Sequence, residues 1–211
     1  MSDPTSAHHG AGHAEHGGHG GHQAAGGLHA MAVSATLHCL TGCAIGEILG
    51  MLIGTAAGLA NGATIVISIE LAFAFGYTLS TLPLLKAGLA LGVALSIVLA
   101  ADTLSIATME VVDNIVVAVI PGAMDAGLVN VVFWVSLMIS LVVAFAAAYP
   151  VNRFLLRRGK GHALTHEYHH ASAEPTGARR LIPSFSTASL VAVVVAFLLG
   201  GLVVSIADAL G

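Results

Sequence analysis

Charge is scarce in this sequence: Asp, Glu, Lys and Arg make up 9% of the 211 residues, against a 56% hydrophobic share. A water-soluble domain carries roughly a quarter charged residues, so water is not the main solvent of this chain. Basic residues are fewest, seven in all, and none precedes Lys86. Without a basic run interleaved with aromatics, nucleic-acid binding is excluded as a function class. Cysteine is limited to Cys39 and Cys43. Two thiols make no disulfide framework and imply no oxidising compartment. No nucleophile with a paired base, phosphate loop or haem motif is present, so an enzyme is not expected.

What the chain has is long apolar runs. Membrane-length stretches fall at 33–59, 63–82, 84–107, 128–149 and 187–210, with Pro83 and Pro150 expected to stop the second and fourth, and Asn61-Gly62 expected as a tight turn. The segment 104–124 is ambiguous. It is apolar enough to cross, yet it carries Glu110, Asp113 and Asn114, and Pro121-Gly122 breaks it. A helical extension, a re-entrant piece and a sixth span are the alternatives; five spans is the preferred reading. The expected fold is an all-α integral membrane protein, a bundle of about five transmembrane helices in membrane lipid. A second globular domain has no room.

The expected organisation is a tail at 1–32, a helical bundle at 33–150, a basic and His-containing loop at 151–185 and a last helix at 186–211. The tail has seven histidines scattered among Gly and Ala and nothing to bury, which predicts disorder unless metal gathers it. It has neither a basic start nor a short apolar core, so a cleaved leader is not expected. Arg153, Arg157, Arg158, Lys160, Arg179 and Arg180 all fall between the fourth and fifth spans. By the positive-inside rule that loop is cytoplasmic, and with five spans the tail is too. The membrane in view is a prokaryotic cell membrane.

On the first span Cys39, Cys43, Glu47 and Met51 recur every four residues, with His38 beside the start. In a helix they stack along one slowly winding face. Thiolate and thioether suit Cu(I), while imidazole and carboxylate widen the choice to Zn(II), so a copper or zinc ion is the expected ligand. A Cys pair four apart on a helix is poorly shaped for a disulfide, so reduced thiols are expected. The bland alternative is that Cys and Met are apolar filler. Glu47 argues against it, because an intramembrane carboxylate is costly unless paired or functional.

Gly42, Gly46, Gly50, Gly54 and Gly58 form a second row on the same helix. Glycines so spaced admit another helix closely, from this chain, from another copy in a homo-oligomer or from a larger membrane complex.

Glu70 and Asp102 join Glu47 as intramembrane carboxylates, with no Lys or Arg in the spans to neutralise them beyond Lys86 at the very start of the third. Such groups stay protonated or bind cations. With Glu110 and Asp113 they are candidates for an ion path, to which Thr103, Thr108 and Asn114 add oxygen donors. In the loop, HALTHEYHH sets His162, His166 and His170 four apart, a spacing that clasps a divalent ion on a helix. The metalloprotease arrangement HExxH is missing, so hydrolysis is not indicated.

Together ATLHCLTGCAIGEILG, AADTLSIATMEVVDN, IPGAMDAGL and HEYHH resemble a prokaryotic family of small polytopic membrane proteins classed as domain of unknown function 4396, with an HCxxGC motif in the first helix. The resemblance covers 33–170 and, less clearly, the last helix. It implies a helical membrane bundle and that His38, Cys39, Cys43 and Glu47 belong together; it implies no activity.

Three functions follow as expectations: binding or transport of a transition metal, copper first; a non-catalytic accessory subunit that packs by its glycine row; and a proton- or cation-coupled transporter using Glu47, Glu70 and Asp102.

Overall fold

A computed structural model of the chain describes residues 20–158 and 177–211, with side chains from residue 27 onward. The described chain is all-helical: α1 Gly20–Ala56, α2 Asn61–Lys86, α3 Leu91–Val119, α4 Val131–Arg157, a 3-10 turn at Gly177–Leu181 and α5 Thr187–Leu210. Five helices are long and apolar enough to cross a membrane. The ambiguous segment resolves as an extension of α3, which runs through Glu110 and Asp113 to Val119 before Pro121-Gly122 ends it.

Several boundaries differ from the sequence expectation. Helix α1 starts at Gly20, inside the segment expected as a tail. Pro83 and Pro150 lie within α2 and α4 rather than ending them, so the loop expected from 151 begins only after Arg157. A proline removes one backbone donor, and membrane helices tolerate that where neighbouring helices satisfy the freed group. The first turn is at 57–60, not at Asn61-Gly62. There Gly58 takes φ +63°, a left-handed conformation that ends α1, and Asn61 already opens α2.

The bundle has the inverse of soluble amphipathicity. Large aliphatic side chains such as Leu52, Val66, Val111, Ile115 and Val142 face outward, as lipid requires, while small and polar residues join apolar ones such as Ile106, Phe133 and Leu141 on the inside. Helix α1 is central and packs against all four others. Its glycine row is filled from within the chain: a Cβ at Gly42 would lie 2.5 Å from the Cα of Gly76, and Gly46, Gly50 and Gly54 press on Ala72, Ser68 and Thr64 of α2 in the same four-residue register. Gly58 belongs to the turn and faces open space.

Helix α5 is held by the Trp134 ring, which lies on Gly201, while Trp134 Nε1 and Ser205 Oγ both donate to the Leu128 carbonyl, at 2.7 and 3.2 Å. Among the described residues the basic side chains gather at one end of the bundle: Lys86 ends α2, Arg157 ends α4, and Arg179 of the 3-10 turn approaches Gly88. Lys86 Nζ donates to Ser184 Oγ there at 2.9 Å. At the opposite end Asn61 Nδ2 donates to Asp125 Oδ1 at 3.0 Å, so Asp125 is an exposed, partnered surface acid.

Candidate functional site

The α1, α3 and α4 helices enclose a polar column. On α1, Cys39, Cys43 and Glu47 turn inward at one residue per turn, covering about 12 Å of helix. On α3 the inward positions are Asp102, Ser105, Met109, Glu110 and Asp113, over about 17 Å. Helix α4 adds Ser136, Ser140 and, toward the basic end, Asn152. All of these are buried.

The column has three levels. Nearest the basic end, Asn152 Nδ2 donates to Thr36 Oγ1 at 2.9 Å, and that hydroxyl donates back to the Ala32 carbonyl at 2.7 Å. Next comes a sulfur level. Both cysteines are free thiols, fully or almost fully buried, and Cys43 Sγ lies 3.9 Å from Met109 Sδ. Cys39 packs in the same cluster with Ser105 and Asp102 beside it, and Glu110 faces Cys43. Beyond it is an acid level, where Glu47 and Asp113 face one another with Ser140 next to Asp113. No N–H or hydroxyl donates to either carboxyl oxygen of Glu47 or of Glu110, or to Oδ1 of Asp113; what these buried groups meet is one another, Glu47 against Asp113, and the Cys43 thiol, against Glu110.

A cavity at the end away from the basic residues reaches this acid level. Glu47 and Asp113 form part of its wall, with Asn61, Ser68 and Asn114 among its polar groups and Met51 and Met124 supplying thioethers.

The expected ligand row therefore divides. Cys39 and Cys43 share the sulfur level; Glu47 belongs to the acid level; Met51, half-buried, lies on the cavity wall and not with the thiols. His38 is turned off the row, and its Nδ1 donates to the Ser34 carbonyl at 2.8 Å. Among the described residues no three His, Cys, Asp or Glu side chains form a metal-holding group. The third soft donor beside the thiols is Met109, which sequence reading passed over. A four-residue periodicity search along one helix cannot find a ligand on another. Its signal was present all the same: Met109 shares a face with Asp102, Ser105 and Asp113 on α3.

Of the expected ion path, Asp102, Glu110 and Asp113 join the column. Glu70 does not. It is exposed on the outer face of α2, because the inward face of that helix is taken by Thr64, Ser68, Ala72 and Gly76 against the α1 glycines. Thr103 Oγ1 bonds Tyr77 of α2 and Thr108 bonds its own helix backbone, so neither lines the column, whereas Asn114 borders the cavity. His162, His166 and His170 lie outside the described residues.

This architecture defines a class: an all-α polytopic membrane protein whose central helix carries thiols and carboxyls inward against two neighbours. Residues 28–161 match a family described as a domain of unknown function (DUF4396), and the chain belongs to that family. No curated protein and no solved structure matches it.

Proposed function

We propose that the chain binds a soft transition-metal cation, Cu(I), at Cys39, Cys43 and Met109, and passes it along the carboxyl column through the membrane. The observation that carries this reading is two buried, reduced thiols beside a thioether, with carboxyls on either side and no basic side chain among them. Two thiolates and a thioether are soft donors of the kind Cu(I) selects over harder ions. Coordination requires thiolates, so loading releases a proton from each thiol that binds. Asp102 beside Cys39 and Glu110 beside Cys43 are the groups placed to accept those protons. Zn(II) is the second candidate, with the same carboxyls as additional ligands.

The orientation of the bundle is part of the same reading. In this reading the basic end is cytoplasmic, supported by the positive-inside rule, and the Glu47–Asp113 cavity faces the outer side of a prokaryotic cell membrane. The histidines of the tail and of 162–170 then serve the cytoplasmic end.

Copper and zinc content of the purified full-length protein, loaded under reducing conditions, tests the reading. Near-stoichiometric metal in the wild type that is lost in the Cys39→Ser, Cys43→Ser double variant is the expected result. Equal metal in both proteins assigns the binding to the histidines and removes the membrane site.

A second reading keeps the column and drops the metal. The facing carboxyls of Glu47 and Asp113, with Glu110 beside them, would carry protons or a coupling cation, with the thiols as packing. Flux into proteoliposomes that survives Cys39→Ser but not Glu110→Gln favours it.

A further inference from the structure

We propose that the cavity between α1, α2, α3 and α4 holds a second cation site of different chemistry: a hard divalent ion, ligated by oxygen, with Glu47 and Asp113 as its charged ligands. Two observations meet there. Glu47 and Asp113 are 8% and 5% exposed and both border the cavity. No N–H or hydroxyl donates to either oxygen of Glu47 or to Oδ1 of Asp113, so these buried oxygens have only the facing carboxyl for a partner, a contact that needs a proton or a cation between the two.

Charge and donor type then select the ligand. Two facing carboxylates in a low-dielectric interior repel one another, and a dication between them brings the group to neutrality. Ca2+, Mg2+ and Mn2+ take oxygen ligands, and the cavity supplies further oxygens from Asn61, Ser68 and Asn114. The thioethers of Met51 and Met124 are neutral and would leave a soft monovalent ion with an uncompensated negative charge. An ion held at this level sits between the outer mouth and Cys43, where its binding and release would gate the sulfur level.

The site is independent of the sulfur reading, because the test uses a different ion on copper-free protein. Mn2+ is the probe, followed by its paramagnetic resonance signal in titrations of the full-length, detergent-solubilised chain. One Mn2+ is expected to bind the wild type in excess of the histidine background, displaced by Ca2+ or Mg2+ but not by Ag+. Glu47→Gln and Asp113→Asn, nearly isosteric changes, are expected to weaken it at least tenfold, and Glu70→Gln, on the outer face of α2, to leave it unchanged. No such Mn2+ in the wild type overturns the proposal whether or not the variants fold. Displacement by Ag+, or equal binding in Glu47→Gln and Asp113→Asn, overturns it as well.

Discussion

Gly46→Ala is expected to destabilise the bundle by about 3 kcal/mol, the upper part of the usual range for overpacking a core. The added Cβ would run into the backbone of Leu71 and Ala72, which no side-chain rotation relieves. The same substitution at Gly92, a helical glycine on α3 with nothing near its Cβ position, is expected to be neutral or to stabilise by up to ~1 kcal/mol through helix propensity. Thermal unfolding of the two variants in one detergent measures the contrast. Equal midpoints would mean that α1 and α2 are not in the close register described. Because that register aims Cys39, Cys43 and Glu47 toward α3, Gly46→Ala is also expected to weaken metal binding without touching a ligand.

Met109→Leu is the second large effect, and it separates the structure from the sequence pattern. Leucine matches methionine in volume, so stability should change by less than about 1.5 kcal/mol. The thioether 3.9 Å from Cys43 is lost, and Cu(I) affinity is expected to fall at least tenfold, by competition with a chromophoric chelator. The row on α1 alone would have made Met51 the sulfur partner. Met51 lies on the cavity wall, so Met51→Leu should cost clearly less than Met109→Leu. The reverse order would restore the single-helix ladder as the site.

These two cases also mark where the sequence stops being informative. The number of spans was legible because apolar length is a local property, and α5 appears at the residues its hydropathy gave. Helix ends were less so. Pro83 and Pro150 are reliable stops in water, but inside a bundle the tertiary context decides, and both helices continue past them. The α1 row was legible as a face, and Gly42, Gly46, Gly50 and Gly54 as a seam, since both are periodicities within one helix. The occupant of that seam, α2, was not. Glu70 shows the same limit. Its presence in an apolar span reads as a buried acid, yet which way it points depends on which face of α2 the α1 glycines claim. Met109, the pairing of Glu47 with Asp113 and the position of Glu110 opposite Cys43 all depend on the docking of α3 against α1, which no spacing along a single helix encodes.

The central claim is that sulfur from two helices, not imidazole from the histidine-rich segments, binds the metal. X-ray absorption at the copper K-edge of the full-length protein, loaded with one equivalent of Cu(I) under reducing conditions, addresses it directly. The predicted result is a first shell of sulfur alone that loses one scatterer in Met109→Leu. A first shell of nitrogen with the outer-ring scattering of imidazole, unchanged in that variant, would contradict the account.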